Sequence, residues 1–368
     1  MSIAELTTVD PATRGAAATT MMKALVYRGP GQRAWEAMPK PVLRDPGDAV
    51  VRMTTTPICG TDLHILKGDV PTVTPGRILG HEGVGIVEAV GAAVSMFQPG
   101  DRVVISCISA CGICDQCRKG MYSHCRTGGW ILGNTIDGTQ AEYVRAPHAD
   151  TSLYHVPAGA DEEALAMLSD ILPTAFECGV LNGKVQPGDA VAIVGAGPIG
   201  LAALLTAQLY SPSTIVMIDV DANRLAVSRQ CGATDVIDSS DGRAVDGVMA
   251  LTKGAGVDVA IEAVGVPAAF DICQSILAPG GRLANIGVHG KPVALHLEKL
   301  WDRNIGITTR LVDTAATPML MKLVQSGQLH PEHLVTHRFA LGDMMNAYDT
   351  FGNAAKERAL KVVLSTRG

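Results

Sequence analysis

Residues 190–209 read Ala190-Val-Ala-Ile-Val194, Gly195-Ala-Gly197-Pro198-Ile199-Gly200, then an apolar stretch from Leu201 to Leu209. A β-branched run, a glycine turn and a helix-forming stretch follow one another in the order a Rossmann unit requires. Gly195 permits the tight turn, Gly197 lets the backbone approach a pyrophosphate, and Gly200 lets the helix pack closely. The helix start around Pro198 and Ile199 offers N–H groups without intrahelical partners, which bind phosphate. Glycine-rich turns also occur in α/β proteins that bind no dinucleotide, so the next acid matters. Asp219 ends the following apolar run, 214–218, nineteen residues past Gly200. A carboxylate there accepts the ribose hydroxyls of an adenosine half and repels a 2′-phosphate. The segment therefore predicts a dinucleotide site favouring NAD over NADP. Arg224, five residues on, stands either against the adenine ribose or in a pair on a solvated helix face.

The same alternation continues outward. Apolar runs at 235–237, 257–262 and 282–286 alternate with helical stretches from about residue 174 to 311, which predicts a parallel, doubly wound α/β sheet. Upstream, short β-like runs at 23–27, 49–54, 85–90, 102–106 and 140–144 are broken by Gly and Pro, the pattern of a folded-up β domain. Downstream come an amphipathic helix at 318–326, a polar-apolar run at 335–339, a helix at 341–351 and a closing strand at 360–365, expected to fold back on the first domain. The predicted division is a flexible tail at 1–20, a β domain from 21–173 and 312–368, and a dinucleotide domain at 174–311. At 368 residues the chain exceeds what one hydrophobic core usually organises, which agrees with two domains.

Composition narrows the function classes. Hydrophobic residues are 47% and charged residues 18%, with 40 Gly, the balance of a folded α/β enzyme and not of a disordered chain. A net charge of −6 without clustered Lys or Arg gives no footprint for nucleic acid or an anionic membrane. No uncharged apolar run approaches the roughly 20 residues that span a bilayer, and the first residues lack a signal-peptide pattern, so the expected location is the cytoplasm. The nine cysteines are odd in number and four fall within residues 111–125, which argues for metal binding in a reducing compartment over a disulfide framework. Cys111, Cys114, Cys117 and Cys125 are spaced by two, two and seven residues. Four thiolates on a short loop close a tetrahedron around Zn²⁺ and leave no open position, so such a site is structural. Free thiols and an iron–sulfur cluster are the alternatives for this spacing.

A second set of ligand-type residues is dispersed: Cys59-Gly-Thr61-Asp62-Leu63-His64, Gly80-His81-Glu82, and Asp170 in Leu168-Ser-Asp170-Ile-Leu-Pro-Thr174. Spacing alone does not join them. Together with the glycine motif and the four-cysteine loop, they make the chain from about Lys23 onward similar to the zinc-containing alcohol dehydrogenases of the medium-chain dehydrogenase/reductase family. Its text most resembles the bacterial secondary-alcohol branch. The resemblance implies a GroES-like β domain built from both chain ends, a Rossmann domain between, and an active site in the cleft where they meet. It also implies that Cys59, His81 and Asp170 hold a catalytic Zn²⁺, with Glu82 as an occasional or outer ligand. Asp170 stands where the best-known members carry Cys, four residues before Thr174. Cys178 is the rival ligand, but inside a helical stretch it reads as a buried structural thiol. Three protein ligands leave a fourth position for the alcohol oxygen. By the same resemblance Thr61 sits next to that oxygen, and His64, three residues on and on the same helix face, carries the proton to solvent through the nicotinamide ribose. Standing alone, Thr61 would read as a helix cap and His64 as a surface residue.

Further matches are softer. Thr174, Val264, Ile286 and Val288 resemble segments that touch nicotinamide, though each also suits core packing. Arg310 and Lys361 resemble positions near the pyrophosphate, and Trp130 resembles a pocket tryptophan that would favour small substrates. The implied reaction is NAD-linked hydride transfer between a small secondary alcohol and its ketone, with a primary alcohol, a polyol or a threonine-like amino-alcohol as neighbouring substrates. A homo-oligomer, dimer or tetramer, is implied by sheet edges that pair between Rossmann domains in this family. A non-catalytic NAD-binding protein is the reading from another class, but it would have no chemical need for an open metal site.

Overall fold

The computed structural model describes residues 20–366. The tail expected at 1–20 lies outside the described residues except for Thr20. Among the described residues, fifteen strands form three sheets. In chain order they are β1 (Met21–Gly29), β2 (Gln32–Pro39), β3 (Ala49–Ile58), β4 (Gly83–Val90), β5 (Arg102–Ile105), β6 (Tyr143–Ala146), β7 (Leu153–His155), β8 (Ala190–Val194), β9 (Thr214–Asp219), β10 (Asp235–Asp238), β11 (Val257–Glu262), β12 (Leu277–Asn285), β13 (Gly306–Thr309), β14 (Val335–Ala340) and β15 (Lys361–Ser365).

The central sheet is all parallel, ordered β10-β9-β8-β11-β12-β13. The strand order reverses between β8 and β11, and register places Val194 opposite both Ile218 and Glu262. Gly195, Asp219 and Ala263 consequently emerge side by side at the carboxyl edge of the sheet, where open α/β sheets bind ligands. Two glycines make the turn there possible. Gly195 has φ of +106°, and a Cβ on Gly200 would lie 1.8 Å from the Gly195 carbonyl oxygen. No side chain fits that gap, so the helix Pro198–Ala207 starts tight against the turn.

The second large sheet runs β14-β15-β3-β4-β5-β7, with β6 also on β3. β15 pairs antiparallel with β3 through Val362 opposite Ile58, so the end of the chain returns to the N-terminal sheet. Three strands had no counterpart in the sequence reading: β2, β7 and β13. β2 is half-exposed, with no apolar alternation to reveal it, and β7 and β13 are only three and four residues long.

The two sheets share a core. Residues 164–180 are buried against Val84 and Val104 of the N-terminal sheet and against Val191, Ile193 and Val259 of the parallel one. This segment comprises the short helices Glu162–Ala166 and Ile171–Thr174 and a wide turn of helix over Ala175–Leu181. Each large side chain buried there contributes about 1.5–3 kcal/mol relative to exposure. Asp170 sits within this seam, and the packing around it fixes where its carboxylate points.

Candidate active site and metal centres

Cys59 follows β3 as the N-cap of the helix Gly60–Lys67. His81 and Glu82 precede β4, positioned by Gly80, whose φ is +91° and whose Cβ would fall 2.8 Å from the Gln140 backbone nitrogen. Asp170 caps the helix Ile171–Thr174. These three separate elements bring the ligand atoms of Cys59, His81, Glu82 and Asp170 within 4.8 Å of one another. Asp170 Oδ2 is 3.2 Å from His81 Nε2 and 3.6 Å from Cys59 Sγ. Cys178 is buried but not part of this group.

The surroundings orient each member. Asp62 Oδ2 accepts from the Cys59 N–H at 3.0 Å and from Gln140 Nε2 at 2.9 Å, and Tyr348 donates to Gln140 Oε1 at 2.7 Å. Asp62 Oδ1 and His81 Nδ1 are both buried without a hydrogen-bond partner and lie 3.8 Å apart. A carboxylate facing the far nitrogen of the ring is the arrangement that backs metal-bound histidine. Thr174 Oγ1 donates to Asp170 Oδ1 at 2.5 Å and the Cys107 thiol lies 3.5 Å from the same oxygen, which leaves Oδ2 facing Cys59 and His81.

Lys361, expected near the pyrophosphate, borders the cavity described below, and its Nζ is held at the ligand end: it donates to Glu82 Oε1 at 2.9 Å, to Oε2 at 2.6 Å and to the Ile58 carbonyl at 3.2 Å, which uses all three of its N–H groups. Both side chains are at most 2% exposed. Breaking a buried pair of this kind typically costs about 3–5 kcal/mol. With both Glu82 oxygens engaged, Cys59, His81 and Asp170 are the donors left free.

Protonation is finely divided here. Burial pushes the Cys59 thiol up, helped by Glu82. Burial pulls His81 down, but Cys59, Asp170 and Asp62 outweigh it and hold the imidazole well above its ordinary value. Burial would raise Asp170, yet the hydrogen bond and charge of His81 bring it well below the usual carboxylate range. Both directions favour protons on a thiol and an imidazole that stand among carboxylates. A thiolate, an imidazole and a carboxylate converging on one point, with unpartnered backing groups, fit a Zn²⁺ ion that takes the place of those protons.

The second centre is local in sequence. Cys111, Cys114, Cys117 and Cys125 also lie with their sulfurs within 4.8 Å, and all nine cysteines are free thiols. Backbone N–H groups point at the sulfurs: Cys111 N to Cys125 Sγ at 3.2 Å and Cys114 N to Cys111 Sγ at 3.4 Å. N–H groups of Arg126 and Cys117 bring the Cys114 thiol down to about 6, which favours the thiolate a metal needs. This loop is anchored to the domain boundary. Asp313 Oδ1 accepts from Ser123 N and Oγ, both at 2.8 Å, while Asp313 Oδ2 accepts from Arg310 at 2.7 Å.

A cavity of about 650 Å³ joins the two halves of the molecule. At one end lie Cys59, His81 and Asp170, at the other Gly195, Gly197, Asp219 and Arg224. Thr61 and His64 line the first end, with Thr61 Oγ1 3.6 Å from Cys59 Sγ. Trp130 stands edge-on to His81 with ring centroids 6.1 Å apart and forms part of the wall. Thr174, Val264, Ile286, Val288 and Arg310 line the middle, and Pro198 and Ile199 border the glycine turn. Asp219 Oδ2 accepts from the Ala196 N–H at 2.6 Å, so its carboxylate lies against that turn, and Arg224 reaches to within 3.8 Å of a Cβ placed on Gly197. Gly200 and Glu82 lie behind the wall, and the four-cysteine loop lies apart from it.

Comparison with known proteins decides the family. Residues 45–158 match the alcohol dehydrogenase GroES-like domain and residues 198–326 match the zinc-binding dehydrogenase domain. The chain belongs to the zinc-binding alcohol dehydrogenases. An alcohol dehydrogenase of Cupriavidus necator is 38% identical, over 94% of this chain and 99% of the relative. Zinc dependent alcohol dehydrogenase 2 from Streptococcus pneumonia, solved in its apo form, matches with a TM-score of 0.91 and 55% identity over 94% of this chain and 99% of that one. Alcohol dehydrogenase TADH from Thermus sp. ATN1 matches at a TM-score of 0.86 and 36% identity, with the same coverage. The fold is accordingly the α/β combination of a GroES-like domain and a parallel Rossmann-like sheet. For an alcohol dehydrogenase, sequence reasoning overlooked Asp62, Gln140, Tyr348 and Cys107 around the inner cluster. Only Asp62 carried a local signal, being an acid three residues past the Cys59 N-cap.

Proposed function

We propose that this alcohol dehydrogenase uses NAD to oxidise small secondary alcohols to ketones, and reduces ketones in the reverse direction. The observation that carries the reading is the single cavity with three converging ligand residues at one end and Asp219 at the other. Zn²⁺ held by Cys59, His81 and Asp170 supplies Lewis acidity that makes an alcohol hydroxyl a better acid. The chain's own groups do the rest. Thr61 accepts the hydroxyl proton at Oγ1 while passing its own onward, and His64 takes it toward solvent. Thr174, Val264, Ile286 and Val288 hold nicotinamide against the substrate end, and the apolar wall keeps water away from the transferred hydride. Glu82 and Lys361 act beneath the cluster as its neutral floor. A second Zn²⁺ on the four-cysteine loop has a structural role, since four thiolates leave no open position.

The size reading rests on Trp130, whose ring occupies the wall beside His81. We read a wall of that bulk as favouring short substituents on the carbinol carbon over a long chain. β13, the four-residue edge of the parallel sheet, follows a stretch of chain that exposes Leu295, Leu297 and Trp301, and an open edge together with exposed apolar side chains supports a homo-oligomer. No helix among the described residues is long and apolar enough to cross a membrane, and nine free thiols suit a reducing compartment such as the cytoplasm.

The test is the initial rate of NADH formation across primary alcohols, secondary alcohols, polyols and threonine. Short secondary alcohols are expected to have kcat/KM at least about tenfold above their primary isomers, the scale on which one misplaced methylene is discriminated. A maximum on a polyol or on threonine would overturn the substrate assignment while leaving the metal and cofactor assignments standing.

A further inference from the structure

The helix Gly60–Lys67 carries Thr61 and His64 three residues apart, both on the cavity. Its end is unusual in where it sends the chain. Gly68 takes φ of +86°, a left-handed conformation that turns the backbone sharply, and donates to the Ile65 carbonyl at 2.9 Å. Asp69 then folds back along the helix. Its N–H donates to the carbonyl of His64 at 3.0 Å, and its side-chain Oδ2 lies 2.9 Å from His64 Nδ1. Backbone and side chain of one residue therefore both grip His64. From across the cleft, Gly290 closes over the carboxylate, with its Cβ position 3.7 Å from the Asp69 carboxyl carbon.

A carboxylate only accepts, so the hydrogen in this contact belongs to Nδ1. In a neutral ring the other nitrogen, Nε2, is then without hydrogen and has no protein partner among the described residues. We propose that Asp69 is a positioning residue of the proton relay: it fixes His64 in the tautomer with hydrogen on Nδ1, so that Nε2 is presented as the proton acceptor. Without it the ring would rotate freely and favour hydrogen on Nε2, the form free imidazole prefers, which cannot accept there. The inference rests on His64 serving the relay proposed above.

The test uses the full-length, zinc-loaded protein with ¹⁵N-labelled histidine, at a pH where imidazole is neutral, with His64 assigned by the signal missing from His64→Ala. The expected spectrum has the His64 hydrogen on Nδ1. In Asp69→Ala it moves to Nε2, kcat falls about ten- to a hundredfold, the range usual for residues that orient a catalytic group, KM for alcohol changes little, and Asp69→Glu recovers part of the rate. Should Asp69→Ala not fold, Asp69→Leu is read in the same way, because a side chain of similar size with no acceptor cannot hold the hydrogen on Nδ1. Hydrogen on Nε2 in the wild type, or a tautomer and kcat unchanged by the Asp69 substitutions, overturns the role of Asp69 even if His64→Ala is slow. An unchanged kcat in His64→Ala overturns the relay itself, and the proposal with it.

Discussion

Cys59→Ser is expected to reduce kcat/KM for alcohol oxidation by about three orders of magnitude or more, and to lower the zinc content from two ions per chain to one. Cys59 contributes the only thiolate among the three ligands proposed for the cleft-facing ion, and a serine hydroxyl is not ionised at neutral pH and binds Zn²⁺ poorly. Loss of that ion removes several kcal/mol of charge stabilisation, and about 4 kcal/mol corresponds to a thousandfold in rate. Folding should survive, because Cys59 packs at a helix start and is not in a hydrophobic cluster, while the four-cysteine loop is untouched. Metal analysis beside circular dichroism and steady-state rates checks all three statements. Cys178→Ser serves as the control: its thiol packs with Ile108 and Val312 outside the ligand group, so zinc content should stay at two. A Cys59→Ser protein that keeps both ions and most of its activity would show that the inner ligand set is wrong.

The second large effect concerns the cofactor. Wild-type protein is expected to prefer NAD to NADP by at least about a hundredfold in kcat/KM, and Asp219→Ser to shrink that preference by about two orders of magnitude. Asp219 lies at the carboxyl end of β9 with Oδ2 on the Ala196 N–H and Oδ1 on the Asp221 N–H, so backbone donors lock its carboxylate in place beside the glycine turn. A carboxylate fixed there strengthens two ribose hydroxyl contacts, each charge-assisted bond being worth about 1.5–3 kcal/mol, and repels a 2′-phosphate. Serine removes both effects, and Arg224, already over Gly197, becomes an unopposed partner for the phosphate. Rates with both cofactors for both proteins provide the check. An NADP preference in the wild type would mean that Arg224 dominates this end of the cavity.

What was legible in the sequence depended on how local each signal is. The strands Ala190–Val194 and Val257–Glu262 were bounded correctly to the residue because each is a short, mostly apolar and mostly buried run with glycine close by. The four-cysteine loop was legible because all its ligands lie in fifteen residues. The inner cluster was not, since Cys59, His81 and Asp170 meet only after β3, β4 and the 164–180 seam pack, and it was reached through family resemblance. Lys361 shows what that route leaves out. A basic residue near the end of the chain looks like a phosphate contact, and nothing local reveals that β15, antiparallel to β3, also sets its ammonium onto Glu82. Asp69 was passed over because nothing in a Lys-Gly-Asp sequence reveals that the left-handed turn at Gly68 returns the carboxylate to His64.

If one cleft-facing zinc ion, held by Cys59, His81 and Asp170, is required for alcohol oxidation, activity must follow that ion. Zinc content and NADH formation are therefore followed together while a chelator removes metal from the native protein. Turnover is expected to disappear in step with the first ion released per chain, while the four-cysteine site remains filled, and to return when Zn²⁺ is added back. Undiminished turnover in protein stripped of both ions would contradict that requirement.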